Sequence, residues 1–302
     1  MNFSISEAES EPYSILKLPD GRSLGYLQVG APAGPAVFHF HGHGSSRLEA
    51  LMLAEAAAAQ GVRVIALDRP GIGRSDPKTG DRLLDWPADV AAAADALELD
   101  KFAVQGMSAG GPYALACAHL IPERLTACAL VSAVPPPEIA RCSGPRVRRL
   151  AWWAANRFPN YLRRRLNEFR PDVPPDADMI ARRMARVSQW LGGEDERLMH
   201  MPKMRALLAR TMMETARQGP AGNNDEIARL VRPWGFDVRK IKLERMLIWH
   251  GEQDRIMPIE PARRMARSIA SSRAVFYPQE GHFSVLVNRS SELLSALAPT
   301  RA

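Results

Sequence analysis

From about residue 13 to residue 297, short apolar runs alternate with longer stretches in which apolar positions recur three and four apart. The runs are strand-sized. Residues 13–17 and 23–29 flank Asp20-Gly21 and predict an opening hairpin, and residues 36–40, 62–67, 101–105, 125–134, 245–250 and 274–277 predict six further strands. Residues 47–60, 84–97, 112–120, 260–269 and 284–297 carry the helical pattern between them. Parallel neighbours need a crossover that a helix can supply, so this order predicts an α/β protein with a mostly parallel eight-stranded sheet flanked by helices.

The alternation breaks once. After residue 134 the chain enters Pro135-Pro136-Pro137 and stays helical, aromatic and arginine-rich as far as Arg232-Pro233-Trp234, with no strand pattern. This divides it into residues 1–134 and 233–302, two parts of one core, and residues 135–232, a helical lid inserted after the sixth strand. The insertion holds Trp152, Trp153, Phe158, Tyr161, Phe169 and Trp190 and seven of the chain's thirteen methionines, a composition that can repack around varied apolar shapes. Most of these side chains are expected to form the lid's own core.

With 302 residues and 46% hydrophobic content, the chain can bury a full core without staples. Cys117, Cys128 and Cys142 are odd in number and lack metal-ligand spacing, which predicts free thiols and no metal site. The first residues are polar and acidic, unlike a secretory leader, and no apolar run has the length of a membrane span, so a cytoplasmic location is expected. The formal charge of +7 has one source: between Pro135 and Arg232 there are 19 Lys and Arg against 11 Asp and Glu, leaving −1 for the rest. Arginines such as Arg146, Arg148, Arg149, Arg163, Arg164 and Arg165 form either a solvated helix face or a surface that favours an acidic substrate. No nucleic-acid reading module accompanies them, so nucleic acid is not an expected partner.

Chemistry enters at Gly106-Met107-Ser108-Ala109-Gly110, which sits directly after a strand-like run and directly before a helix-like one. A serine on a sharp strand-to-helix turn adopts a strained backbone, and its neighbours two positions away must be nearly free of side chain. Gly106 and Gly110, with Gly111 beyond, meet that demand. Such a turn presents a nucleophile for acyl chemistry.

On this motif and three others the sequence resembles the α/β-hydrolase superfamily, in the lidded group that includes bacterial esterases. The others are His41-Gly42-His43-Gly44 after the third strand, Asp68-Arg69-Pro70-Gly71-Ile72-Gly73-Arg74-Ser75 after the fourth, and Gly281-His282-Phe283 after the last. The resemblance implies catalytic residues at the carboxyl ends of sheet strands, in the chain order Ser, acid, His. It assigns the nucleophile to Ser108, the base to His282 and the acid to Asp254 in His250-Gly251-Glu252-Gln253-Asp254, with Glu252 the nearest rival. A loop aspartate capping the helix near residue 259 is the other reading of Asp254. The oxyanion hole falls to the backbone N–H groups of His43 and Ala109, while the imidazole of His43 either faces the pocket or makes a structural hydrogen bond. Asp68 and Arg69 brace a turn near the site; as a dinucleotide fingerprint their segment fails, because Asp76 stands where the third glycine should be.

The function expected from this set is hydrolysis of a carboxylic ester or related acyl bond in a small molecule, without cofactor or metal. An acyltransferase, a carbon–carbon bond hydrolase or a lyase could use the same residues, and a non-catalytic ligand-binding module is the remaining class.

Overall fold

Asp20 and Gly21 turn the chain where the first two apolar runs meet, Gly21 having φ 87°. Ser14–Lys17 (β1) thereby pairs antiparallel with Ser23–Gly30 (β2). The remaining strands are Ala36–Phe40 (β3), Arg63–Leu67 (β4), Phe102–Met107 (β5), Leu125–Val131 (β6), Met246–Gly251 (β7) and Ser272–Tyr277 (β8). They form one eight-stranded sheet in the order β1-β2-β4-β3-β5-β6-β7-β8, with only the β1–β2 and β2–β4 pairings antiparallel. The computed structural model describes residues 13–80, 82–143, 150, 153, 154, 157, 177–189 and 191–298.

Position in the sheet explains how each strand is written. Every residue of β3 and β5 is buried, because helices cover both faces of the central strands, and both are near-continuous apolar runs. The outermost strand, β8, alternates between half-buried and exposed positions until Tyr277. Ala54–Ala59 (α1), Trp86–Ala96 (α2) and Gly110–Leu120 (α3) alternate with the early strands. The segment after β6 carries Pro137–Cys142 (α4), Ala177–Ser188 (α5), Glu194–His200 (α6), Pro202–Thr215 (α7) and Ala221–Val231 (α8), with no strand among the described residues. Ile259–Ser268 (α9), Ser284–Asn288 (α10) and Ser290–Leu297 (α11) complete the chain.

Two apolar layers sandwich the sheet. One joins Phe38, Phe40 and Val104 to Trp86, Tyr113 and Met265; the other joins Val37, Val64 and Ala103 to Leu293, Leu294 and Leu297. The rings of Phe40, Trp86 and Tyr113 meet edge to face at 5.4 and 5.8 Å, the arrangement that the ring quadrupole favours.

The helical expectations need two corrections. Residues 47–53 form a 3₁₀ turn ahead of α1, with Arg47 and Glu49 buried, because both charges have buried partners rather than solvent. The stretch 284–297 is two helices, interrupted at Arg289. Cys117 and Cys128 are buried free thiols, and Cys142 is exposed and also free. No helix among the described residues is long and apolar enough to cross a membrane. Trp152, Phe158, Tyr161, Phe169 and Trp190, and the arginines at 146, 148, 149 and 163–165, lie outside the described residues. Met199 and Met204 of the insert join Leu191 and Leu208 against Met52, Ile256 and Phe283 of the core, whereas Met201 and Trp153 are exposed and so depart from the expected lid core.

Candidate active site

Ser108 follows the last residue of β5 and precedes α3 with φ 51°, a region that a side-chain-bearing residue rarely enters. The surroundings enforce it. Its N–H donates to the Val131 carbonyl at 2.9 Å, while its own carbonyl accepts from Gly111 N at 3.1 Å and Val134 N at 2.9 Å. A Cβ on Gly106 would stand 2.3 Å from the Gly110 carbonyl oxygen, and one on Gly110 would stand 2.0 Å from that of Phe40. Neither can exist, so strand, turn and helix approach only with glycine at both places. From Phe102 to Ala118, Ser108 alone is not fully buried.

Asp254 and His282 emerge from neighbouring strands, in the turn after β7 and the loop after β8. His282 Nδ1 donates to Asp254 Oδ2 at 2.8 Å. The second oxygen, Oδ1, accepts from the N–H groups of Ile256 at 2.9 Å and Met257 at 2.7 Å. Thus the turn-bracing role and the imidazole-orienting role coexist on separate oxygens, and α9 itself starts beyond Pro258. Donation through Nδ1 leaves His282 Nε2 as the nitrogen able to accept a proton. Burial disfavours charge on both groups, yet their mutual attraction outweighs it, holding Asp254 below the usual carboxylate range and His282 above the usual imidazole value. Glu252 is turned elsewhere and pairs with Arg263 at 2.8 Å on the surface. His250, one position off the end of β7, donates Nε2–H to the Met257 carbonyl at 2.6 Å and buttresses the same turn; burial lowers its pKa.

The turn after β3 lies against the serine: a Cβ on Gly42 would come within 3.5 Å of Ser108 Cβ and 3.4 Å of Glu49 Oε2. Three side chains fix this turn. Gly42 N–H donates to buried Glu49 at 3.1 Å, and the Gly42 carbonyl accepts from His41 Nδ1 at 2.8 Å and Arg69 Nη2 at 3.2 Å. Arg69 Nη1 also donates to the His41 carbonyl at 2.6 Å. In a trans peptide the N–H points opposite the C=O, so gripping the Gly42 carbonyl turns the His43 N–H the other way. Among the described residues neither His43 N–H nor Ala109 N–H has a protein acceptor. His41 is neutral at pH 7, since burial and the Arg69 guanidinium lower its pKa to about 3.

The insert reaches into this site with acids, which the sequence did not reveal. Glu226 on α8 accepts from His43 Nδ1 at 2.7 Å and from Arg69 Nε at 2.6 Å, and those neighbours hold it far below the carboxylate range despite burial. The His43 imidazole is therefore tied to the insert, settling the choice between pocket and structural bond in favour of the bond for Nδ1. Glu214 on α7 meets buried Arg47 at 2.6 Å, and Arg47 in turn meets Asp68 at 2.6 Å. Asp195 on α6 accepts from the N–H groups of His282, Phe283 and Ser284 at 2.6, 2.9 and 2.8 Å. These partners lie 87 to 183 positions apart, and no local pattern marks them. No group of three or more His, Cys, Asp and Glu side chains among the described residues is placed to hold a metal ion.

Known proteins resemble this chain in graded ways. A family model described as alpha/beta hydrolase fold matches residues 35–289. A non-heme chloroperoxidase of Streptomyces lividans is 40% identical over 129 residues, which is 42% of this chain and 46% of that protein. The chain thus spans less than half the length of that relative. A 2-hydroxy-6-oxo-2,4-heptadienoate hydrolase of Pseudomonas putida is 27% identical over 73% of this chain and 72% of its own. Among solved structures, an esterase of Exiguobacterium antarcticum superposes with TM-score 0.69 at 19% identity, over 94% of this chain and 98% of that one, a likeness of fold.

Proposed function

The chain belongs to the alpha/beta hydrolase fold family and is an enzyme of that class; we propose that it is a serine hydrolase that cleaves a carboxylic ester or related acyl bond of a small molecule. The observation that carries this is the buried His282–Asp254 pair at 2.8 Å, set after β7 and β8 of the same sheet whose β5 leads into the strained Ser108 turn. A serine hydroxyl needs such a base, because it is almost wholly protonated near neutral pH. In the proposed cycle Ser108 Oγ attacks the carbonyl, His282 Nε2 takes its proton, and Asp254 stabilises the imidazolium. The N–H groups of His43 and Ala109 receive the oxyanion. His282 then protonates the leaving alcohol, and water, deprotonated by the same nitrogen, releases the acyl group from Ser108. No step calls on a cofactor. The insert of residues 135–232 serves as the lid, a role supported by its apolar contacts with Phe283 and by its acids at the His43 and His282 loops.

A fluorescent organophosphonate tests the reading directly. Covalent labelling at Ser108, identified by peptide mapping and blocked by heat denaturation, is the expected result, together with turnover of nitrophenyl esters whose rate does not depend on an added alcohol. Absence of labelling would remove the nucleophile assignment. A second reading, a carbon–carbon bond hydrolase using the same groups, draws support from the likeness to the heptadienoate hydrolase. Faster cleavage of a vinylogous keto acid than of any ester in a graded panel would favour it.

The pH dependence has a definite sign. The base acts when neutral, and the Asp254 carboxylate favours the imidazolium, so His282 gives up its proton later than a free imidazole does. The acidic limb of kcat/KM is expected to have its midpoint above the ordinary value of about 6.5. A midpoint well below that value would separate His282 from the rate.

A further inference from the structure

We propose that Asp195 is a positioning residue for the base: this acid of the insert holds the loop that carries His282 in its reactive place, so that docking of α6 completes the catalytic centre. The inference rests on the reading of His282 as the base. Its geometry is independent of that reading.

The loop between β8 and α10 presents three successive N–H groups, at His282, Phe283 and Ser284, to a buried position with no acceptor from the core. Leaving such donors unsatisfied is costly, and one carboxylate meets all three, Oδ2 taking His282 and Oδ1 taking the other two. Hydrogen bonds to an ionised acceptor are the shorter and stronger kind, and the one to His282 itself is 2.6 Å. Asp195 is only 2% exposed. The loop has been shaped to admit it, since a Cβ on Gly281 would stand 2.3 Å from Asp195 Oδ2.

A second contact ties the same short segment to the acid's side. Arg255, adjacent to Asp254, donates to the Leu191 carbonyl at 3.4 Å, and its guanidinium covers Gly192 so closely that a Cβ there would meet Cζ at 2.8 Å. Leu191 and Met199 then pack with Ile256 and Phe283. Residues 191–199 therefore bridge the turn that carries Asp254 and the loop that carries His282. Catalysis is sensitive to placement at this scale, a shift of about 1 Å costing up to ~10²-fold in rate. An insert attached in this way sets kcat as well as access to the site.

The charge adds a signature that packing alone would not produce. The charged and titratable groups that bear on His282 are Asp254 from the turn after β7, Asp195 from α6, Glu49 from the 3₁₀ turn after β3, and His250 from β7. The three carboxylates favour the imidazolium. Replacing Asp195 by a neutral group removes one of them, so the acidic limb moves to lower pH.

The test compares Asp195→Asn, Gly281→Ala and the control Glu194→Gln with the unaltered chain, using one nitrophenyl ester, pH profiles and melting curves. Organophosphonate titration counts competent sites. Asp195→Asn is expected to lower kcat per titrated site by about 10- to 100-fold with KM changed less than about threefold, and to shift the limb downward. Gly281→Ala, which expels the carboxylate from the other side, should reproduce the loss and the direction of the shift. Glu194→Gln on the same helix should match the unaltered chain. Normal kcat per site with an unmoved limb in Asp195→Asn would overturn the proposal, as would collapse of both altered proteins, which would make the acid a stability element. If the reading of the base is instead at fault, His282→Ala run in parallel will keep its activity.

Discussion

Ser108→Ala is expected to lower kcat by about four to six orders of magnitude while the melting temperature stays nearly unchanged. The two halves of that expectation have separate causes. The rate falls because alanine offers no oxygen for covalent attack, leaving only binding and the oxyanion donors to accelerate attack by water. Stability persists because the elbow is held through the backbone of residue 108, by its bonds to Val131, Gly111 and Val134, none of which involves the hydroxyl. Alanine also inherits the same positive φ at a strain comparable to serine's. His282→Ala should lose a similar factor, and the double variant should be little worse than either single one, since groups that act as one device do not add. Stopped assays over hours, with a melting curve for each protein, would check both halves. Activity above about one per cent in either single variant would show that the chemistry runs elsewhere.

How much of this was legible in the sequence depends on how local each constraint is. The elbow could be read because its demand is met within six residues: Gly106 and Gly110 must lack side chains to let strand, turn and helix touch. The central strands were legible because burial on both faces leaves a continuous apolar run, as at β3 and β5. Asp254 was legible as a strand-end carboxylate, although its division of labour between Met257 and His282 was not. The acids of the insert were invisible. Asp195, Glu214 and Glu226 stand among solvent-facing charges in patterns that spell surface helix, and only the distant partners His282, Arg47 and Arg69 make them buried groups. The same blindness made residues 47–60 read as one amphipathic helix, when the fold buries Arg47 and Glu49 in its first turn. A charge pattern reports the average fate of a residue type, and a functional site is where the average fails.

Asp254→Asn is expected to cost about 10⁴-fold in kcat, although it removes no atom that touches substrate. That magnitude is the one attached to the corresponding change in the serine protease triad, and the local geometry here explains why it should carry over. Asp254 Oδ1 accepts two backbone N–H groups, from Ile256 and Met257. An asparagine must therefore place its carbonyl oxygen there and turn its NH₂ toward His282. A donor then faces Nδ1, which can accept only if the ring's proton moves to Nε2, so the nitrogen meant to take the serine proton is already protonated. Loss of the negative charge should at the same time move the acidic limb of the residual activity to lower pH. Glu252→Gln gives the contrast, since its surface pair with Arg263 is worth at most about 1 kcal/mol and should leave kcat near that of the unaltered chain. Were Glu252→Gln the more damaging of the two, the acid would have to be reassigned and the 2.8 Å bond to His282 read as structural. An inactive Asp254→Asn protein that still reacts with phosphonate at the unaltered rate would point instead to a role confined to the second half of the cycle, when water replaces the alcohol.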